Sequence, residues 1–371
     1  MSSEPLAVIH VLDALTGTGP GLWGKERLVS HLMLAQRDSG DVEPALLTFS
    51  PCSLADQMRD RGFDVHVLEP EHRMLPWHGL VQFRRILAGS PRPAVVHSHE
   101  YKANVASRLL RRSGARMAGL VSTSHAWFDE SPALRAYNAL DRQTAFMSDV
   151  TTVADRKMIA RFPRRGHVQY VANGLPDHES SADGQVRRAA RARFGIAHDK
   201  IAVGFLARTN ASKGIPEVLE AARRSADLPI VWVIGGTGEL DRQIRSAALP
   251  NVRYVGYVDD ADLYRSGLDV YLQASRIEGL SLSLLEAMRA GLPIVATDAG
   301  STSLAVTDGV EAFVVPPGDV GRLLRAVQTV TGDPEFAVRL GRAARLRFER
   351  DFRIDRQHRD FLRIYRSCLR S

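Results

Sequence analysis

The chain has 371 residues, 44% of them apolar and 25% charged, which suits two globular domains with ordinary cores. Its two cysteines, Cys52 and Cys368, stand at opposite ends, which excludes a disulfide framework or a cysteine-held zinc site and suits a reducing compartment. The net charge of +7 is uneven: residues 73–116 carry nine basic groups and one acid, Glu100, while residues 339–371 carry eleven arginines and four acids. Two basic surfaces of this kind either meet an anionic partner (nucleic acid, lipid or a phosphorylated substrate) or simply solvate helices.

The opening segment MSSEPLAVIHVLDALTG lacks a basic n-region, and His10 and Asp13 interrupt its apolar run, so it reads as a first strand and not as a signal peptide. No stretch approaches the roughly 18 apolar residues of a spanning helix. Short β-branched runs then follow at 7–15, 44–49, 63–69, 94–99, 118–125, 150–155 and 167–174, with helical patterns such as 25–37 and 103–112 between most of them. Continuous apolar strands alternating with helices predict a parallel sheet covered on both faces, hence a doubly wound α/β domain. Residues 175–199 are polar and without a strand, which marks a linker. A second series begins beyond it, at 201–208, 230–236, 252–257, 269–275, 293–299 and 312–317, and from about Val320 the pattern is helical to the end. The expected architecture is therefore two doubly wound halves, 1–180 and 181–350, followed by a helix over 351–371. Open parallel sheets bind ligands at the carboxyl ends of their strands, so the strand-to-helix loops should line a cleft between facing domains.

Three loops of the second half carry candidate chemistry. Arg208 ends a strand, Lys213 follows five residues later, and a helix opens near Pro216. A guanidinium fork, a point charge and backbone amides make a cradle for a diphosphate, although two exposed loop cations would look the same. Only five of the 49 basic residues are lysine, so Lys213 is not this chain's default cation. The turn GGTGEL around Gly236 follows a strand, but its third glycine position is Asp241 or Leu240, which argues against a dinucleotide fingerprint. In RIEGLSLSLLEAMRAG, Glu278 precedes a helix and Glu286 lies within it, with the amides around Ser281, Leu282 and Ser283 between them. One acid could hold ribose hydroxyls, the other a sugar, and the amides a phosphate. Alternatively, Ser283 and Glu286 form a capping box.

In the first half, GTGPGLWGKERL places a glycine-rich loop at a helix start near Gly24, again suited to phosphate. His97, His99 and His125 end strands and are placed near the cleft, or are hydrogen-bonded structural residues. No Cys–His or His–Glu spacing suits a metal, and no nucleophile elbow is present, so no protein-held metal or covalent nucleophile is expected. Leu80, Phe83 and Leu87 with Arg84 and Arg85 suggest a basic amphipathic helix against anionic lipid. No nucleic-acid-binding module is visible.

These pieces, in this order, resemble the retaining family 4 glycosyltransferases of the GT-B fold over nearly the whole chain. The resemblance rests on WGKE (23–26), STSH (122–125), VANG (171–174), GFLARTNASKG (204–214), GGTGEL (235–240), VRYVGYV (252–258) and EGLSLSLLEAMRAGLPIVATDAG (278–300). It implies two Rossmann-like domains facing a cleft, with the last helix crossing back onto the first, and transfer of a sugar from a nucleotide-diphosphate donor with retention of anomeric configuration. It further implies that Arg208 and Lys213 bind the diphosphate, Glu278 sits against the transferred sugar, and Glu286 holds the ribose. Backbone near Tyr257 and Val258 would meet the base, Gly24 the diphosphate, and His125 the sugar. The acceptor would be a glycan, a lipid-linked sugar or a small molecule in cell-surface polysaccharide or glycoconjugate synthesis. The expected location is cytoplasmic, or peripheral on the inner face of the plasma membrane. Two departures stand out: Trp23 occupies one position of the first-loop glycine pair, and Gly-Leu-Ser replaces the usual Gly-aromatic-Gly after Glu278. A sugar-nucleotide epimerase and a non-catalytic nucleotide-sugar binder are the alternatives.

Overall fold

The structure is a computed structural model that describes residues 4–13, 24–69, 77–125, 132–163, 167–178 and 184–369. The chain divides into two compact units, Met1–Pro176 with Arg353–Ser371, and Asp177–Phe352.

Unit 1 is built on a seven-stranded parallel sheet of β1 (Leu6–Leu12), β2 (Val42–Thr48), β3 (Asp64–Val67), β4 (Val95–His99), β5 (Gly119–Ser124), β6 (Val150–Val153) and β7 (Val168–Tyr170). Its spatial order is β3-β2-β1-β4-β5-β6-β7. Unit 2 carries β8 (Ile201–Leu206), β9 (Ile230–Gly235), β10 (Val252–Gly256), β11 (Val270–Gln273), β12 (Ile294–Thr297) and β13 (Phe313–Val315), in the order β10-β9-β8-β11-β12-β13. Both are doubly wound α/β sheets. In each, the order reverses beside the first strand, between β1 and β4 in unit 1 and between β8 and β11 in unit 2.

The central strands β4, β5 and β9 are buried at every position because helices cover both faces. In β9 all six residues from Ile230 to Gly235 are buried, and Trp232, Ile234, Val218, Leu219, Val327 and Leu340 belong to one core cluster. The last helix, Ile354–Cys368, returns to unit 1. Its buried residues Ile354, Phe361, Leu362, Ile364, Tyr365 and Cys368 pack with Val8, Val95 and Val121 of the sheet. Arg356, Arg359, Arg363 and Arg366 are exposed on the opposite side, so much of the basic C-terminal run solvates an amphipathic helix. At its entry, the Ile354 amide donates to the Leu175 carbonyl at 2.8 Å, and the Gly174 amide donates to Gln357 Oε1 at 3.2 Å.

Two readings of the sequence are corrected here. Residues 184–193, taken as part of a linker, form the helix Gly184–Arg193, and Arg187 and Arg191 of that helix bind Asp269 at 2.6 and 3.2 Å. Its polar composition reflects a helix with one narrow buried edge and not an unstructured connection. The helix Trp77–Gly89 buries Leu80, Phe83 and Leu87 in the unit 1 core beside Ile9, Val11 and Val96. That apolar face is core and is not available to a membrane; the large apolar residues that remain exposed on this helix are Trp77 and Val81. Among the described residues, no helix is long and apolar enough to cross a membrane.

Truncating Phe361 to Ala should destabilise the protein by about 3–5 kcal/mol, the usual cost of emptying a buried aromatic site. Arg363→Ala, on the exposed side, should stay within about 0.5 kcal/mol. Urea unfolding of both variants checks the contrast.

Candidate active site

In unit 2 the reversal of strand order opens a crevice above the carboxyl ends of β8 and β11, the place where ligands of open α/β sheets bind. The loop after β8 supplies Arg208, which is exposed, and Lys213, which ends a short 3-10 turn capped by Asn210. Asn210 Oδ1 accepts from the Lys213 amide at 3.1 Å. Gly214 then adopts φ 82°, and a side chain there would meet the Ala274 carbonyl oxygen at 2.0 Å. Only glycine allows the β8 loop to lie so close to the end of β11. Across the crevice, the loop after β11 supplies Glu278. Lys213 Nζ lies 2.7 Å from Glu278 Oε1, and the Ser275 hydroxyl donates to the same oxygen at 2.7 Å. The amides of Arg276 and Ile277 donate to the Ser212 carbonyl, at 2.8 and 3.3 Å, and stitch the two loops together.

The β9 loop closes the neighbouring side. Gly236 has φ 115°, and its Cα lies so near the β8 loop that an added Cβ would sit 1.8 Å from the Ala207 carbonyl oxygen. The Gly236 carbonyl accepts from the Tyr254 hydroxyl at 3.0 Å, and the Gly236 amide donates to Gly256 at 2.7 Å. Tyr257, 49% exposed, and the half-buried Val258 follow β10 directly.

The helix Leu282–Arg289 starts with Ser281 as its cap, whose hydroxyl accepts from the Leu284 amide at 3.4 Å. Leu282 and Ser283 form its first turn. The capping box suggested for Ser283 and Glu286 is therefore not formed, because the helix begins two residues before that box requires. Glu286 lies in the second turn, 1% exposed, with Oε2 3.0 Å from Arg265 Nη1. Arg265, itself 1% exposed, also binds Asp262 at 3.0 Å. Sequence spacing located Glu286 but gave no hint of its cation, which comes from a different helix.

Unit 1 has the matching reversal between β1 and β4. Gly24, exposed, opens the helix Gly24–Ser39; Trp23 and the rest of the glycine-rich loop lie outside the described residues. Lys25 Nζ donates to the Asp13 carbonyl at 2.9 Å, and Lys102 Nζ lies 3.3 Å from an Asp13 carboxylate oxygen. Glu100, directly after β4, has φ 72°, a conformation that costs a non-glycine residue on the order of 1–3 kcal/mol. Its carboxylate accepts from the His125 amide at 3.3 Å. Sequence reasoning passed over Glu100, and the one signal available was a lone acid at a strand end within a basic segment.

His99 is buried and His125 is half-buried at the end of its strand. His97 is different: it is buried inside β4 with both ring nitrogens engaged, Nδ1 with the Tyr365 hydroxyl and Nε2 with Thr123 Oγ1, each at 2.7 Å. Placing it at the cleft was wrong, since it ties the last helix to the sheet. Strand pairing brings His10, His97 and His99 together with ring nitrogens within 4.8 Å, a grouping that no local spacing reveals. The nitrogens of His10 also already have partners, Gln36 Oε1 at 2.8 Å and His99 Nε2 at 3.0 Å.

Two family models match the chain in tandem, "Glycosyl transferase 4-like domain" over residues 24–174 and "Glycosyl transferases group 1" over 186–347. The chain belongs to the group 1 glycosyltransferases. O-antigen chain mannosyltransferase C of Escherichia coli is 30% identical over 211 residues, 53% of this chain and 54% of that protein. The D-inositol 3-phosphate glycosyltransferase of Kribbella flavida is 29% identical over 284 residues, 67% of this chain and 66% of its own length. The chain thus spans about half to two thirds of these relatives. Among solved structures, HepE of Anabaena in complex with UDP superposes with a TM-score of 0.81 at 17% identity, covering 98% of this chain and all of that one. Sucrose-phosphate synthase of Thermosynechococcus elongatus gives 0.79 at 17%, covering 98% of each. The shared fold is GT-B.

Burial favours the neutral form of four imidazoles in unit 1. Burial lowers His10 to about 4 and, with the nearby Lys25 charge, His125 to about 4, while His97 and His99 are pushed well below the ordinary value of 6.5. Unfolded, these groups take up protons near pH 6.5; folded, they do not until the pH is far lower. The unfolded state therefore binds more protons over that window, and stability must fall as the pH drops from about 6.5 towards 4. Thermal unfolding midpoints across that range check the sign; a midpoint that rises on acidification contradicts it.

Proposed function

We propose that this protein transfers a glycosyl group from a nucleoside-diphosphate sugar to an acceptor hydroxyl, with the donor diphosphate held by Arg208 and Lys213. The supporting observation is the cation–acid pair at the strand reversal of unit 2, where Lys213 lies 2.7 Å from Glu278. A diphosphate entering there exchanges for the carboxylate as the partner of the ammonium, and Glu278 turns to the hydroxyls of the transferred sugar. Structures of HepE with UDP and with UDP-glucose support a nucleotide-sugar donor of this kind.

In the reaction the bond from the anomeric carbon to the β-phosphate oxygen breaks and the bond to the acceptor oxygen forms. Negative charge grows on the β-phosphate, and fixed cations aimed at it lower the barrier. The acceptor proton passes to the leaving phosphate on the same face of the sugar, which gives retention. Glu286, fixed by Arg265, holds the ribose. The amides of Ser281, Leu282 and Ser283 and the turn at Gly236 border the phosphates, and backbone at Tyr257 and Val258 meets the base. For unit 1, the resemblance assigns Gly24 to the diphosphate and His125 to the sugar. Relatives named for O-antigen and inositol-phosphate transfer support an acceptor in glycoconjugate synthesis.

Arg208→Ala and Lys213→Ala should each lower kcat by about 10²–10³, the cost of one preorganised electrostatic donor, with little change in unfolding midpoint. Transfer assays over a panel of nucleotide sugars and acceptors check this. Full turnover in the double variant, or conversion of the donor with no acceptor present, contradicts the reading. For a lipid-linked acceptor, Trp77 and Val81, 59% and 51% exposed beside Arg84 and Arg85, form the membrane contact. Co-sedimentation should rise with anionic lipid content and fall in Trp77→Ser; indifference to lipid charge removes this part of the proposal.

A further inference from the structure

Gln36, in the last turn of the first helix of unit 1, is fully buried. Its Nε2 donates to the Tyr365 hydroxyl oxygen at 3.1 Å, which leaves Oε1 towards His10 Nε2 at 2.8 Å. The arrangement that uses every hydrogen has the Tyr365 hydroxyl donating to His97 Nδ1 at 2.7 Å and His97 donating from Nε2 to Thr123 Oγ1 at 2.7 Å. An amide oxygen accepts only, so His10 carries its hydrogen on Nε2. A neutral ring has one N–H, so His10 Nδ1 is a lone pair and accepts from His99 Nε2 at 3.0 Å. The same rule then makes His99 Nδ1 the acceptor for His125 Nε2 at 3.4 Å. The last atom of the series, His125 Nδ1, is buried and has no hydrogen-bond partner among the described residues.

We propose that Gln36 sets the direction of this hydrogen-bonded chain, so that His125 presents Nδ1 as a bare acceptor for a hydroxyl of the bound sugar. Gln36, His10 and His99 are then positioning residues, and His125 alone touches substrate. The inference rests on the reading that a sugar-bearing ligand reaches His125. The opposite direction requires the Gln36 amide to turn over and donate into the chain. That would leave an N–H on His125 Nδ1 buried without an acceptor, a rarer and costlier defect than an unused lone pair. Burial keeps the rings uncharged, and the Lys25 cation disfavours a further proton on His99 and His125. Glu100 does not reverse the chain, because its carboxylate reaches the His125 backbone amide and no hydrogen bond joins it to His125 Nδ1. The three-imidazole group of His10, His97 and His99 is also explained without a metal, since a bound ion would need the lone pairs that the chain uses.

The test is long-range ¹H–¹⁵N correlation on the full chain labelled with ¹⁵N-histidine, near neutral pH. The expected spectrum shows His10, His99 and His125 as neutral Nε2–H tautomers, each with an unprotonated Nδ1. An Nδ1–H tautomer or an imidazolium at His125 overturns the proposal, and so does stoichiometric metal bound through His10, His97 and His99 in the purified protein. Gln36→Glu keeps an acceptor facing His10 and should preserve the His125 signature. Gln36→Leu should give mixed tautomers at His125 and lose about tenfold in kcat/KM, the worth of one hydrogen bond to substrate. If Gln36→Leu does not fold, the spectrum of the unaltered protein still decides. A protein with the expected tautomers that transfers no sugar refutes the functional reading and leaves the chain intact; transfer with the wrong tautomer does the reverse.

Discussion

A parallel sheet whose strand order reverses sends the connections on either side of the reversal to opposite faces, so the carboxyl ends of the two strands between them stay uncovered. Everything functional in this protein follows from that constraint, imposed once between β1 and β4 and again between β8 and β11. In unit 2 the uncovered ends bear Lys213 on one side and Glu278 on the other, and Gly214 lets the two loops approach closely enough for the side chains to meet. In unit 1 they bear Asp13 and Glu100, with the histidine chain beneath.

The two crevices handle charge differently. In unit 2 it is compensated in pairs, Lys213 with Glu278 near the surface and Arg265 with Glu286 in the interior. The outer pair keeps some exposure, so a phosphate can replace its acid; the inner pair is desolvated, and losing one partner would strand a buried charge at a cost of about 3–5 kcal/mol. Unit 1 instead holds its buried rings neutral and fixes where their hydrogens lie. Tyr365 links that arrangement to the last helix, so the segment that completes the unit 1 core also orders its polar interior.

Much of the fold was legible in the sequence because parallel strands buried on both faces read as short β-branched, largely apolar runs; IVWVIGG is a strand in the structure as in the pattern, and so is AVVHSH despite its polar end. Arg208, Lys213 and Glu278 were legible because they stand at strand ends. What was missed depends on partners distant along the chain. Glu286 reads locally as a capping residue, and only the fold supplies Arg265. The apolar face of Trp77–Gly89 reads as a membrane face until the sheet it covers is known. Residues 184–193 read as a linker because an arginine-rich helix with one buried edge is polar almost throughout. The histidine chain joins residues up to 89 positions apart through strand register, which periodicity cannot disclose.

The account's central claim is that a diphosphate leaving group docks at the strand reversal of unit 2. A crystal structure with an intact or non-hydrolysable nucleotide sugar tests it most directly. The account predicts phosphate oxygens on Arg208 and Lys213, and the Lys213–Glu278 separation, 2.7 Å here, opening as Glu278 takes the sugar hydroxyls. A diphosphate seated elsewhere, with that pair still closed, would contradict it.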